Sequence, residues 1–287
     1  MRTIAIIVAA LAASPSLAQP PVPAAIYTDP THNVAHPARM DVLHIPSGGV
    51  EINGVAYLAA GPGPHPTIII CHGLPGNEKN LDLAQAVRRA GWNTITFNYR
   101  GSWGSPGVFR FAQNPQDAAA VLAYLRQPDV AKMLRIDTKR LVLAGHSMGG
   151  WVTAMTASRD PELKGAILIS AANLGARSKL PRTELVKAMA GNLESLAGTS
   201  PDAMADEIIA SADAFDFLQA APGLNKTPLL ILSSDDGLAP MSDALITNVR
   251  KTGGKRVTAV HVATDHSWSD RRIQLQSEVL RWLSLLK

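Results

Sequence analysis

The chain has 287 residues, 46% hydrophobic and 17% charged, which excludes a disordered chain and supplies apolar side chains for one large α/β core or two small ones. Its 27 Lys and Arg against 23 Asp and Glu leave a net charge of +4 with no long basic run, so no nucleic-acid partner is expected. Cys71 is the single cysteine; no intrachain disulfide can form, and this thiol, at the end of an apolar run, reads as buried and inert.

The first 18 residues have the grammar of an export signal: Arg2 as positive flank, Ile4 to Ala13 as apolar stretch, and Ser16-Leu17-Ala18 as small-residue cleavage site. Cleavage is expected between Ala18 and Gln19. The apolar stretch is too short to span a bilayer, and no cysteine stands near the cleavage site to take a lipid. The expected location is therefore periplasmic or secreted, with no stable membrane anchor. Residues 19–39, opening with Gln19-Pro20-Pro21-Val22-Pro23, read as an extended arm because proline favours that conformation. His32 and His36 in this arm are too few to hold a metal, and no zinc-type cluster occurs elsewhere in the sequence.

Eight β-branched or apolar runs follow, bounded by Gly, Pro or Asn: Met40–Ile45, Val55–Ala60, Thr67–Cys71, Asn93–Tyr99, Arg140–Ala144, Lys164–Ser170, Pro228–Ser233 and Val257–Val262. Ser47-Gly48-Gly49 and Asn53-Gly54 between the first two suit an antiparallel pair. Helical patterns at Leu81–Ala90, Gln116–Leu125, Gly150–Ser158 and Arg272–Leu286 alternate with the later strands, which predicts a mostly parallel sheet with helices on both faces. The sheet domain is expected over 40–287, interrupted at about 172–226 by a stretch without a convincing strand. There Leu185, Met189, Leu193 and Leu196, then Met204, Ile208 and Ile209, recur at helical spacing, which predicts a small helical cap between strands six and seven. With Phe215 these side chains are too apolar for an exposed loop. The cap is expected to cover the site and line its pocket, so that a polar residue at Met189 or Ile208 would change chain-length preference more than melting temperature.

Gly145-His146-Ser147-Met148-Gly149 stands between the fifth strand and a helix, the context of a strained strand-to-helix turn that lifts a serine hydroxyl above the sheet edge. The bland alternative is a serine that merely caps the helix. A serine nucleophile needs a base and a carboxylate to orient that base. Asp235-Asp236 follows the seventh strand and Asp265-His266 follows the eighth, in the order Ser, Asp, His.

With Ile70-Cys71-His72-Gly73, Tyr99-Arg100-Gly101, the serine pentapeptide, Asp236 to Pro240 and Asp265-His266 all present, the chain from about Met40 to Leu286 resembles the α/β-hydrolase superfamily. The nearest types are the capped esterases and the catalytic domains of prolyl-oligopeptidase-like enzymes. The resemblance implies the α/β-hydrolase fold and acyl transfer by Ser147 as nucleophile, His266 as base and Asp236, four residues before Pro240, as acid. Asp235 is the alternative acid, and His261 reads as a structural side chain within its strand. Met148 N–H and Leu74 N–H match the oxyanion donors, and His72 supports the loop that carries Leu74. Leu74-Pro75-Gly76 departs from the H-G-G-G of many lipases, which argues against esters of bulky tertiary alcohols. Arg100 is expected to brace loops, Trp103 is a candidate pocket residue, and Trp268 a packing residue. No cofactor and no metal are implied. The expected substrate is a small ester or a short peptide-like molecule; an amide-cleaving peptidase, an acyltransferase and a non-catalytic binding protein remain the alternatives.

Overall fold

Eight strands join in one sheet in the order β1-β2-β4-β3-β5-β6-β7-β8. The computed structural model describes residues 21–286, so the predicted export signal lies outside the described residues. The strands are β1 (Arg39–Ser47), β2 (Val50–Leu58), β3 (His65–Cys71), β4 (Asn93–Phe97), β5 (Ile136–His146), β6 (Gly165–Ile169), β7 (Leu229–Ser234) and β8 (Val257–Val262). The β1–β2 and β2–β4 pairs are antiparallel; every later pair is parallel. Every residue of β3, β6 and β7 is buried, as expected of central strands covered on both faces.

Alternation along these strands feeds two cores. Ile69, Leu143, Leu168 and Ile231 point to the side of α2 (Asn114–Leu125), α3 (Pro128–Met133), α4 (Met148–Ala157) and α9 (Ala239–Lys251). Ile68, Ile70, Val142, Ile167 and Leu230 point to the side of α1 (Leu81–Arg89) and α10 (Arg272–Leu285). Burying both faces leaves the C-terminal ends of the parallel strands as the place for chemistry.

Three sequence expectations need correction. Asn53-Gly54 is no turn: it lies inside β2, where Gly54 pairs with Leu43 and Phe97. A Cβ there would come within 3.1 Å of Thr96 O, so the glycine serves close strand approach. The hairpin turns at Gly48-Gly49 alone. β5 starts at Ile136, and α3 and α9 were not anticipated, because their apolar residues are sparse.

Residues 174–224 form α5 (Leu174–Arg177), α6 (Arg182–Ala190), α7 (Pro201–Ala210), a 3-10 turn at Phe217–Ala220 and α8 (Ala221–Leu224). Ser200 starts α7 by accepting from Ala203 N–H, with Pro201 at the first helical position. Leu185, Met189, Met204, Ile208 and Phe215 are buried and merge with the core on the α4 side, whereas Ile209 is exposed. The insertion is fastened to the C-terminal edge of the sheet. Trp103 N–H donates to Ser195 O at 2.8 Å, and Ala197 N–H to Gly101 O at 2.8 Å. The Glu207 carboxylate accepts from Phe111 N–H at 3.0 Å and Ala112 N–H at 2.8 Å.

Candidate active site

Ser147 sits between β5 and α4 with φ 58° and ψ −120°, a conformation that side chains rarely adopt. Its flanking glycines are sterically required. A Cβ on Gly145 would lie 2.0 Å from Gly149 O, and one on Gly149 would lie 2.1 Å from Cys71 O. The turn is held by Ser147 N–H on Ile169 O at 2.9 Å and Ala172 N–H on Ser147 O at 3.1 Å. The half-buried Ser147 makes no side-chain cap to α4, so the bland capping alternative fails.

β7 and β8 deliver a histidine and a carboxylate to the same edge. His266 Nδ1 donates to Asp236 Oδ2 at 2.6 Å, with the Asp236 side chain 3% exposed and that of His266 39% exposed. Burial pushes the Asp236 carboxyl upward, but the hydrogen bonds from His266 and from Leu238 N–H (2.9 Å) outweigh it and hold the group below its ordinary range. An ionised Asp236 fixes the hydrogen on Nδ1 and leaves His266 Nε2 as an acceptor. Asp235 goes elsewhere, to His261 Nε2 at 3.0 Å, while His261 Nδ1 meets Ser233 Oγ at 3.0 Å.

His146 ties the imidazole to the serine turn, a contact the sequence reading missed. Its Nε2 donates to His266 O at 2.7 Å, and the two rings lie 4.6 Å apart. Burial, with the nearby His266, lowers the His146 pKa to about 4, so this ring is neutral at neutral pH. Its place inside the pentapeptide was the available signal. No hydrogen bond joins Ser147 Oγ to His266 among the described residues. Such contacts often tighten only when substrate arrives.

The β3–α1 loop passes close by. A Cβ on Gly73 would come 3.1 Å from Ser147 Cβ. Neither Leu74 N–H nor Met148 N–H makes a loop or cap backbone hydrogen bond among the described residues. His72, whose pKa burial lowers to about 4, donates from Nδ1 to Gly73 O at 2.8 Å, and Tyr99 OH donates to His72 O at 3.1 Å. Trp103 Nε1 reaches Pro75 O at 2.5 Å, and Ser195 of the insertion donates to the same oxygen at 3.3 Å. Arg100 braces the following loop through the buried Asp117 at 2.6 Å. Trp268 is fully buried and donates to Ser170 Oγ at 3.1 Å, which in turn meets Ser234 Oγ at 2.8 Å. Buried Cys71 has its thiol pushed up to about 12 by desolvation, far from a reactive thiolate. His32 and His36 join no group of three metal-ligating side chains among the described residues. No helix among those residues is long and apolar enough to cross a membrane.

A family model described as the alpha/beta hydrolase family matches residues 68–279. An Escherichia coli protein described as an uncharacterized 31.7 kDa protein in the traX-finO intergenic region is 35% identical over 105 residues, which is 35% of each chain. A Mycobacterium tuberculosis protein is 28% identical over 134 residues, 46% of each. The matched stretches thus span less than half the length of these relatives. Among solved structures, 2,6-dihydroxy-pseudo-oxynicotine hydrolase superposes with a TM-score of 0.66 at 18% identity, covering 88% of this chain and 69% of that one. The metagenomic carboxylesterase EstE1 gives 0.63 at 19% identity, covering 88% and 91%. Pyrococcus horikoshii acylaminoacyl peptidase gives 0.66 at 18% identity, covering 87% and 42%. At these identities the likeness is one of fold.

Proposed function

The chain belongs to the alpha/beta hydrolase family, and from that premise we propose that it is an exported serine hydrolase cleaving small carboxylic esters through an acyl-enzyme. One observation carries the reading: a buried carboxylate orients a histidine that His146 holds next to the strained turn of Ser147, whose hydroxyl caps nothing. Ser147 Oγ attacks the ester carbonyl as His266 Nε2 takes its proton, and ionised Asp236 stabilises the imidazolium. The tetrahedral oxyanion is received by Met148 and Leu74 N–H, each worth about 3 kcal/mol in such sites. His266 returns the proton to the departing alcohol; water, activated by the same nitrogen, then releases the acid.

The insertion is proposed to wall this site, because it is tied to the β3–α1 loop at Pro75 and to the turn after β4 at Gly101. Because Met189 and Ile208 are buried in the core, we assign the pocket wall to the half-buried Leu193 and Leu196, next to the Ser195 contact with Pro75 in the β3–α1 loop. An organophosphonate should label Ser147 stoichiometrically, and peptide mapping onto another serine would overturn the assignment. A turnover panel of graded acyl esters, aminoacyl amides and alcohol acceptors separates esterase from peptidase and acyltransferase. Stoichiometric acylation without turnover would mark a binding protein. Export rests on the signal-like leader, and a secreted or periplasmic form beginning at Gln19 is its test.

A further inference from the structure

On the α1 side of the sheet, a groove of about 260 Å³ opens between the β1–β2–β4 strands and the start of α1, with His72 at its inner end and neither Ser147 nor His266 in its lining. Val42, Val55, Tyr57, Ile70 and Leu81 give it an apolar floor, beside polar Asn53, Thr96 and Asn98. Two of them, Val42 at 66% and Leu81 at 43%, are left exposed. Water on such a surface is costly, and clustered exposed apolar side chains next to a polar anchor mark binding sites.

The anchor is Lys79. Its ammonium is half-buried at the groove, donates to Asn98 Oδ1 at 2.9 Å and rests 4.2 Å from the centre of the Trp103 ring. No carboxylate lies within ion-pair distance of it among the described residues. Its neighbour Glu78 is turned to Asn80 N–H at 2.6 Å and Arg272 at 3.7 Å. Burial without a compensating anion depresses the Lys79 pKa. His72, at the inner end, is neutral, and its Nε2 has no partner, so it supplies no competing positive charge. A half-buried cation without a counter-charge, beside an apolar trough, is complementary to an amphiphilic anion.

We propose that this groove binds a medium-chain carboxylate, the carboxylate on Lys79 Nζ and the acyl chain along Val55, Leu81 and Val42. The volume suits a single short tail and is too small for a phospholipid. Such an acid is of the class that ester cleavage releases, but the inference stands on Lys79 and the groove alone.

Calorimetric titration of the full protein with octanoate and octanol tests it. Octanoate is expected to bind more tightly than octanol. Lys79→Met should weaken octanoate about tenfold or more, since it removes a charge-assisted hydrogen bond, while Lys79→Arg retains binding. Val42→Asp, at an exposed position that tolerates charge, should weaken it comparably by repelling the anion. Absence of octanoate binding, equal binding of octanol, or insensitivity to both Lys79→Met and Val42→Asp would overturn the proposal. Both variants lie outside the proposed catalytic residues, so either failure leaves the hydrolase reading untouched.

Discussion

Two aspartate–histidine pairs stand side by side at the ends of β7 and β8, and they differ in nearly everything but composition. Asp236 and His266 meet at 2.6 Å with the carboxylate 3% exposed; Asp235 and His261 meet at 3.0 Å with side chains 61% and 50% exposed. The outer pair even has a serine on its far nitrogen, Ser233. Yet Ser233 lies within a regular strand, whereas Ser147 occupies a strained turn at the start of α4. An exposed pair of this kind contributes about 0–1 kcal/mol and is screened by solvent. A serine, a histidine and an aspartate joined by hydrogen bonds therefore do not by themselves make the proposed site. Burial of the carboxylate and the backbone strain at the serine separate the inner constellation from the outer.

The comparison breaks most sharply at the serines. Ser147→Ala should lower kcat by about 10⁶-fold without unfolding the protein, and Ser233→Ala should leave ester turnover nearly intact, by steady-state assay and circular dichroism. The carboxylates come next. Asp236→Asn should cost about 10⁴-fold in kcat because the imidazole loses the group that fixes its tautomer. Asp235→Asn should change kcat less than about threefold; reversed effects would transfer the acid role to the outer pair.

Burial on the inner side also predicts a pH slope. His146 and His72 resist protonation in the fold until about 4, whereas an unfolded histidine takes its proton near 6.5. As pH falls from 6.5 to 4 the unfolded state binds more protons, so stability declines across that window and then levels off for these groups. The full effect is of order 3 kcal/mol per histidine. Asp236, whose carboxyl is depressed, adds a loss only at lower pH, as it protonates through its folded value. Urea unfolding of wild type and His146→Gln between pH 7 and pH 4 measures this, and an unchanged slope in the variant would remove His146 from the account.

The smallest effect expected is on specificity. Leu196→Ala should shift acyl-chain preference by roughly 1–3 kcal/mol in kcat/KM between chain lengths, with little change in melting temperature. Ile208→Asn, in contrast, should chiefly lower the melting temperature, because its side chain is wholly buried. The sequence expectation places the specificity effect at Met189 or Ile208.

Much of the fold was legible because it rests on local pattern. The apolar runs of β3, β6 and β7 and the spacing of α1 and α10 carry their own periodicity, and the glycines around Ser147 announce a turn no Cβ could enter. α9 escaped because Leu245, Ile246 and Val249 are its main buried apolar side chains in an otherwise polar helix. The β1–β2 turn was misplaced because Gly54 signals close packing and a turn in the same letter.

The chain by itself determined the parallel core, the strained serine and the Ser, Asp, His order, since each is written in local runs and turn residues read in chain order. Tertiary structure alone decided which of two adjacent aspartates meets His266, that His146 holds the His266 carbonyl from 120 residues away, and that Met189 and Ile208 face a core instead of a pocket. Those outcomes depend on which way a side chain points once distant strands are aligned. No local pattern encodes that direction, because one step along a loop reverses it.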